Sequence, residues 1–150
     1  MKERFFKFAR EASKKADYKG ANTSSPAIGA VAVLKGSIVA EAWNTNKTSP
    51  LQAKYNIYRY HNPDLPAKSH CETLLVQRLR WKFGDSLDWS KVDIYLYREY
   101  KDGRPAMSRP CRSCIQLLVH TLGVKRIFYS TPDGYAEEKF FGINKKEKKK

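Results

Sequence analysis

No stretch of the 150-residue sequence approaches the roughly 18 uninterrupted apolar residues that a bilayer-spanning helix needs. The opening MKERFFKFAR also lacks the apolar core of a secretory leader. Both absences lead to the expectation of a cytoplasmic chain with no membrane partner. Acidic residues are scarce, 15 against 29 Lys and Arg, and the resulting +14 favours polyanions or phosphorylated small molecules as partners. Five of those lysines fall in the last six residues, so a basic tail over 144–150 is expected to be disordered, behind a single domain over 1–143. Cysteine is scarce too. Three is an odd number that cannot pair completely, which excludes a disulfide-stapled scaffold. Two of them, Cys111 and Cys114, lie three residues apart, a spacing that in a reducing compartment points to metal. No internal repeat is present.

What is there reads as alternating helices and strands. Phe5, Phe8 or Ala9, Ala12 and Ala16 recur every three to four residues among lysines and arginines, which predicts an amphipathic helix ending near Lys19 and Gly20. IGAVAVL and IVAEAW, separated by Lys35, Gly36 and Ser37, predict a β-hairpin from Ile28 to Trp43. Residues 44–69 carry three prolines and no clear period, so they predict a long loop with a short helical turn around Leu51 to Tyr60. A helix starting at about Cys71, the strand VDIYLY, a polar loop from Lys101 to Arg109, a helix from about Cys111 to Leu122 and the strand KRIFYS follow. Two strand–helix–strand units call for parallel pairing of the later strands, with helices packed on the sheet.

Four residues carry the chemistry. His70 and Glu72 form H-x-E at one predicted helix start; Cys111 and Cys114 form P-C-x-x-C at another. Thiolates three apart on a first turn face the same side, and the free N–H groups there favour their ionised form. One neutral imidazole completes three protein ligands for Zn2+ and leaves a fourth tetrahedral position for water, the mark of a catalytic rather than a closed structural site. Glu72, near the ligand but not facing the metal, is placed to move protons.

The pair of motifs, with 38 residues between Glu72 and Cys111 that fit one helix and one strand, resembles the cytidine deaminase superfamily, whose zinc deaminases carry this signature. The resemblance spans about Phe5 to Tyr135 and includes EAWN, KSHCE, SRPCRSC and RIFYS. It implies a three-layer α/β/α sandwich around a mixed sheet of about five strands, a zinc-dependent hydrolytic deaminase, and the possibility of a homo-oligomer. In the branch containing tRNA adenosine deaminases and deoxycytidylate deaminases, the asparagine of a W-N element contacts the substrate, and Asn44 matches it; otherwise Asn44 closes the hairpin. Most relatives read H-A-E where this chain has Cys71, which a turn of about 100° directs away from the metal as a small core residue.

The substrate is less tightly defined. Adenosine-directed relatives commonly carry E-P-C, and the serine-containing S-R-P-C element here is similar to that of cytosine deaminases, which brings in Ser108 and Arg109 as substrate contacts. Tyr58, Arg59 and His61, in the aromatic and basic loop, could stack on a base or pair with phosphate, and could equally cover the core. A cytidine or deoxycytidine nucleotide is the first expectation. Single-stranded DNA or RNA follows, drawn by the positive charge, and a zinc-stabilised nucleic-acid-binding module without turnover is the third.

Overall fold

The structure is a computed structural model that describes residues 3–16, 27–45, 47, 49–58 and 69–140. Arg59, His61 and the basic tail lie outside the described residues.

Helix α1 (Glu3–Ser13) is followed by strands β1 (Ile28–Leu34) and β2 (Ser37–Trp43), then by α2 (Pro50–Tyr55), which tightens into a 3-10 turn over Asn56–Tyr58. Helix α3 (Cys71–Phe83), strands β3 (Val92–Glu99) and β4 (Pro105–Ala106), helix α4 (Arg112–Ile115) with a wider π-helical continuation over Gln116–Thr121, and strands β5 (Arg126–Thr131) and β6 (Gly134–Lys139) complete the described fold. The sheet runs β2-β1-β3-β5-β6, with β4 paired to β3. Its pairings are antiparallel except for β3 with β5, which are parallel as the two crossover units required.

Alternation along the strands sends side chains to two faces. Val31, Val33, Tyr95, Tyr97 and Phe128 meet Phe5, Phe6 and Ala9 of α1. Ala30, Ala32, Ile94, Leu96 and Ile127 meet α3 through Leu75, Val76 and Leu79, and the α4 segment through Leu117, Leu118 and Val119. Helices on both faces of a mixed sheet make the three-layer α/β/α sandwich. Gly29 lets the first layer close: a Cβ there would lie 2.1 Å from the Ala9 carbonyl oxygen and 2.3 Å from the Ser13 nitrogen.

Several boundaries differ from expectation. Helix α1 stops at Ser13, whose hydroxyl bonds back to the Arg10 carbonyl at 2.6 Å, and only a turn continues to Ala16. Ala9 is buried and Phe8 exposed. The hairpin turn is the two residues Lys35 and Gly36, both at positive φ (53° and 79°), while Ser37 already pairs with Leu34. Two strands escaped the sequence reading. β4 has only two residues, and β6, GYAEEK, sits at the sheet edge, where half its side chains are exposed and no apolar alternation is needed.

Because β2 and β3 both run antiparallel to β1, their C-terminal ends lie at the same end of the sheet. The chain reaches α3 from β2 by way of α2, with Ser69 held to the end of β2 by Thr45 N–H at 3.0 Å, and it enters α4 after β3 and the short β4. Both helix starts, with the motifs they carry, are therefore delivered to one end. Among the described residues no helix is long and apolar enough to cross a membrane.

Candidate active site and metal centre

His70 caps the start of α3 in an extended conformation (φ −76°, ψ 161°) and makes no side-chain capping bond. Its ring points to the cysteines instead. Nδ1 lies 3.6 Å from Cys111 Sγ and 3.5 Å from Cys114 Sγ, and the three ligand atoms lie within 4.8 Å of one another. Zinc with tetrahedral angles and ordinary Zn–N and Zn–S lengths would place nitrogen and sulfur about 3.6 Å apart. The donor set, two sulfurs and one imidazole nitrogen, is one zinc favours, and it leaves a position open. The residues fit the ion. Cys111 precedes α4 in an extended conformation, and Cys114 is buried on its first turn.

The two thiols are not alike. A hydrogen bond from Cys114, aided by His70 and Ser113, draws Cys111 down to about 3 against the opposing effect of burial. The same bond, with burial, pushes Cys114 well above its ordinary value. The pair therefore shares one proton, held on Cys114.

Glu72 is buried at 4% exposure and stands outside the ligand cluster. Its Oε1 accepts a hydrogen bond from the Cys71 thiol at 2.9 Å, so Cys71 is a core residue that touches the acid rather than a ligand. Burial raises the Glu72 pKa above the ordinary carboxylate range, against the opposing influence of His70.

The expected substrate contacts are placed differently from one another. Asn44 is buried, and its Oδ1 accepts from the Ile28 N–H at 2.9 Å, closing the hairpin; next to it, Thr45 N–H bonds the Ser69 carbonyl at 3.0 Å, which joins this segment to the His70 segment. Ser108 is buried between β3 and β5. Its hydroxyl reaches the Leu96 carbonyl at 3.1 Å and accepts from the Ser130 N–H at 2.9 Å, so its bonding capacity is engaged in the sheet. Arg109 forks onto Glu138 of β6 through two contacts of 2.9 Å, and Tyr129 OH joins the same carboxylate at 3.1 Å. Tyr58 and Arg109 line one cavity of about 420 Å³ with Arg112, Ile115, Gln116 and His120. Arg109 and Arg112 flank Pro110 and Cys111, so two of the cavity's lining residues are close in the chain to a metal ligand.

One residue that binds the site together had no reading from sequence. Gln52 of α2 is fully buried, with its amide between the His70 main chain and Ser113 of α4. Its signal was local: Ser49, Pro50 and Gln52 have the residue pattern of a capped helix start with proline at the first helical position, and Ser49 Oγ does accept from Gln52 N–H at 3.3 Å, while the Gln52 side chain is bonded elsewhere.

The sequence model of the cytidine and deoxycytidylate deaminase zinc-binding region matches residues 2–131. Among solved structures, a dCMP deaminase from the cyanophage S-TIM5 in apo form is 23% identical, covering 86% of this chain and 84% of that one at a TM-score of 0.55. In complex with dCMP and dUMP it gives 21% identity, 86% and 82% coverage, and a TM-score of 0.53. A cytidine deaminase from Burkholderia pseudomallei is 16% identical, covering 93% of this chain and 92% of that one at 0.60. At these identities the likeness is one of fold. No curated protein sequence matches the chain significantly.

Proposed function

We propose, because this chain belongs to the cytidine and deoxycytidylate deaminase family of zinc-dependent hydrolytic deaminases, that it converts cytosine to uracil in a cytidine or deoxycytidine nucleotide. The observation that carries the nucleotide part is the cavity lined by Arg109 and Arg112, the residues that flank Pro110 and Cys111 in the sequence. Its volume of about 420 Å³ falls within the range of about 300–1,000 Å³ usual for small ligands. Its lining joins a tyrosine ring to Arg109, Arg112 and His120, groups suited to a base or sugar face and to a phosphate.

His70 Nδ1, Cys111 Sγ and Cys114 Sγ would hold the zinc. When bound, zinc supplies the Lewis acidity that makes a water nucleophilic near neutral pH. Glu72 carries the protons: its carboxylate takes one from the attacking water and passes it to N3 of the ring. It then moves the remaining hydroxyl proton to the amine, so that ammonia leaves as C4 becomes a carbonyl. A carboxyl whose affinity for protons is raised by burial suits that exchange better than an exposed one. The Cys71 thiol holds one of its oxygens. Asn44 lies on the segment paired with the one leading into His70, consistent with a contact to the sugar or base.

The test is a side-by-side panel of deoxycytidylate, cytidine, single-stranded DNA and single-stranded RNA, followed by ammonia release and by uracil in the product. Release from the free nucleotide supports the proposal; silence on every free nucleoside and nucleotide overturns it. A second reading, a polynucleotide deaminase, has its own support in the +14 charge and in Trp43, whose ring lies 5.2 Å from Lys15 Nζ and 4.6 Å from Arg78 Cζ. It requires conversion in single strands that falls steeply with salt.

A further inference from the structure

The metal ligands come from two helix starts separated by 41 residues, and a single side chain from a third element spans the gap. Gln52 is fully buried, and both ends of its amide are occupied. Oε1 accepts from the His70 N–H at 3.1 Å and from the Thr73 hydroxyl at 2.9 Å. Nε2 donates to Asn56 Oδ1 at 2.8 Å and to Ser113 Oγ at 3.4 Å. The orientation of the amide follows from its partners: a backbone N–H can only donate, so the group facing His70 must be the oxygen.

That orientation has a consequence at the metal. The amide NH2 can only donate, so Ser113 Oγ must accept from it. The Ser113 hydroxyl proton is then left for Cys111 Sγ, 3.0 Å away. Donation runs one way, from amide to hydroxyl to sulfur. The other end of the same amide holds the His70 main chain, which lacks a side-chain cap because its imidazole faces the sulfurs. We propose that Gln52 is a positioning residue for the metal centre, holding the His70 backbone with its oxygen and directing the Ser113 hydroxyl onto Cys111 with its nitrogen.

The inference rests on the zinc centre described above. A merely structural Gln52 would lower stability without changing how the metal is held, so the readouts are taken on the metal. These are zinc affinity by competition with a chelating indicator, the visible spectrum of the cobalt-substituted protein, and the melting temperature of the metal-free chain. Gln52→Met keeps the shape and removes both functions of the amide. Ser113→Ala removes the bond to sulfur and the one that Gln52 Nε2 donates to the hydroxyl, and leaves the His70 contact intact. Both variants are expected to weaken zinc roughly 10–100-fold, as loss of groups that orient metal ligands generally does, and to shift the cobalt bands. The double variant should lose less than the two combined, because the Ser113 step runs through Gln52. Zinc affinity within about twofold of wild type, with unchanged cobalt bands, would overturn the proposal whatever happens to melting. If Gln52→Met fails to fold, Ser113→Ala decides by the same criteria. Failure of the wild-type chain to bind zinc at all would instead remove the reading of the centre itself.

Discussion

Zinc affinity should change close to a hundredfold per pH unit between about pH 7.5 and 9, because filling the site displaces one proton from Cys114 and the water in the open position, with a pKa near about 7 on zinc, gives up a second. Cys111, drawn to about 3, is already a thiolate in this window, so it contributes no proton on binding. Cys114, pushed well above the ordinary thiol value by its bond to Cys111 and by burial, holds the proton that the metal must replace. The sign follows from competition for Cys114 Sγ: lowering the pH favours the proton and raises Kd, and raising it lowers Kd until the elevated pKa of Cys114 is passed. Each proton released contributes about 1.36 kcal/mol per pH unit. Two independent thiols near about 8.5 would release close to two protons besides the water's at the lower end of the window, on the order of several hundredfold per unit. The measurement is a competition titration at fixed ionic strength, corrected for protonation of the indicator. A slope clearly above two at the lower end of the window, or a slope of about one or less, would refute the shared-proton account.

Glu72→Gln keeps the shape of the acid and removes its proton transfer, so kcat should fall by about 10²–10⁴ while zinc content stays at the wild-type level; equal ammonia release by the two proteins would remove Glu72 from the reaction. Gly29→Ala drives a methyl group into the α1 backbone, 2.1 Å from the Ala9 carbonyl, and should cost about 3 kcal/mol in urea unfolding, with a loss under about 0.5 kcal/mol contradicting the packing described here. Arg112→Met should raise KM for deoxycytidylate about tenfold, the worth of one charge-assisted bond, and leave cytidine unchanged; a parallel rise for both would argue against a phosphate contact.

The ligand set was legible because metal chemistry admits few residue types and holds them at short spacings. His70, Glu72, Cys111 and Cys114 each sit at or beside a helix start, and the structure brings the imidazole and the two sulfurs within 4.8 Å. The helix α1 was legible from its amphipathic spacing and the strands from their short β-branched and small-residue runs, while the three layers came from the family resemblance; β1 and β3 are buried along most of their length and show no alternation of burial. Gln52 was not. Its role exists only after α2 closes over two other helices, and nothing in the proline-flanked segment around it specifies partners at His70 and Ser113. Ser108 was read from its place in S-R-P-C as a substrate contact, whereas its hydroxyl joins Leu96 of β3 to Ser130 of β5, a neighbour relation created by the parallel pairing. The turn before β6 was readable in TPDG, but the strand beyond it is an edge strand whose polar residues carry no apolar period.

This division separates the reaction from the choice of substrate. The groups that would hold zinc and move protons lie on two helix starts, where neighbouring residues in sequence are neighbours in space. The cavity lined by Arg109 and Arg112 is assembled from the end of the α2 segment at Tyr58, from the loop before α4 at Arg109, and from the π-helical stretch through Gln116 and His120. Arg109 is aimed by Glu138, from the strand least visible in the sequence. Its fork is half exposed and worth only about 0–1 kcal/mol to stability. The pair therefore counts for little in holding the fold. Its consequence is directional, because it turns one guanidinium along the wall of the cavity and leaves Arg112 and His120 as the remaining basic side chains of its lining. Changes in α2, the loop before α4 or β6 can thus alter what enters the cavity while His70, Glu72, Cys111 and Cys114 keep their places, which is why the motifs specify deamination so much more narrowly than they specify its substrate.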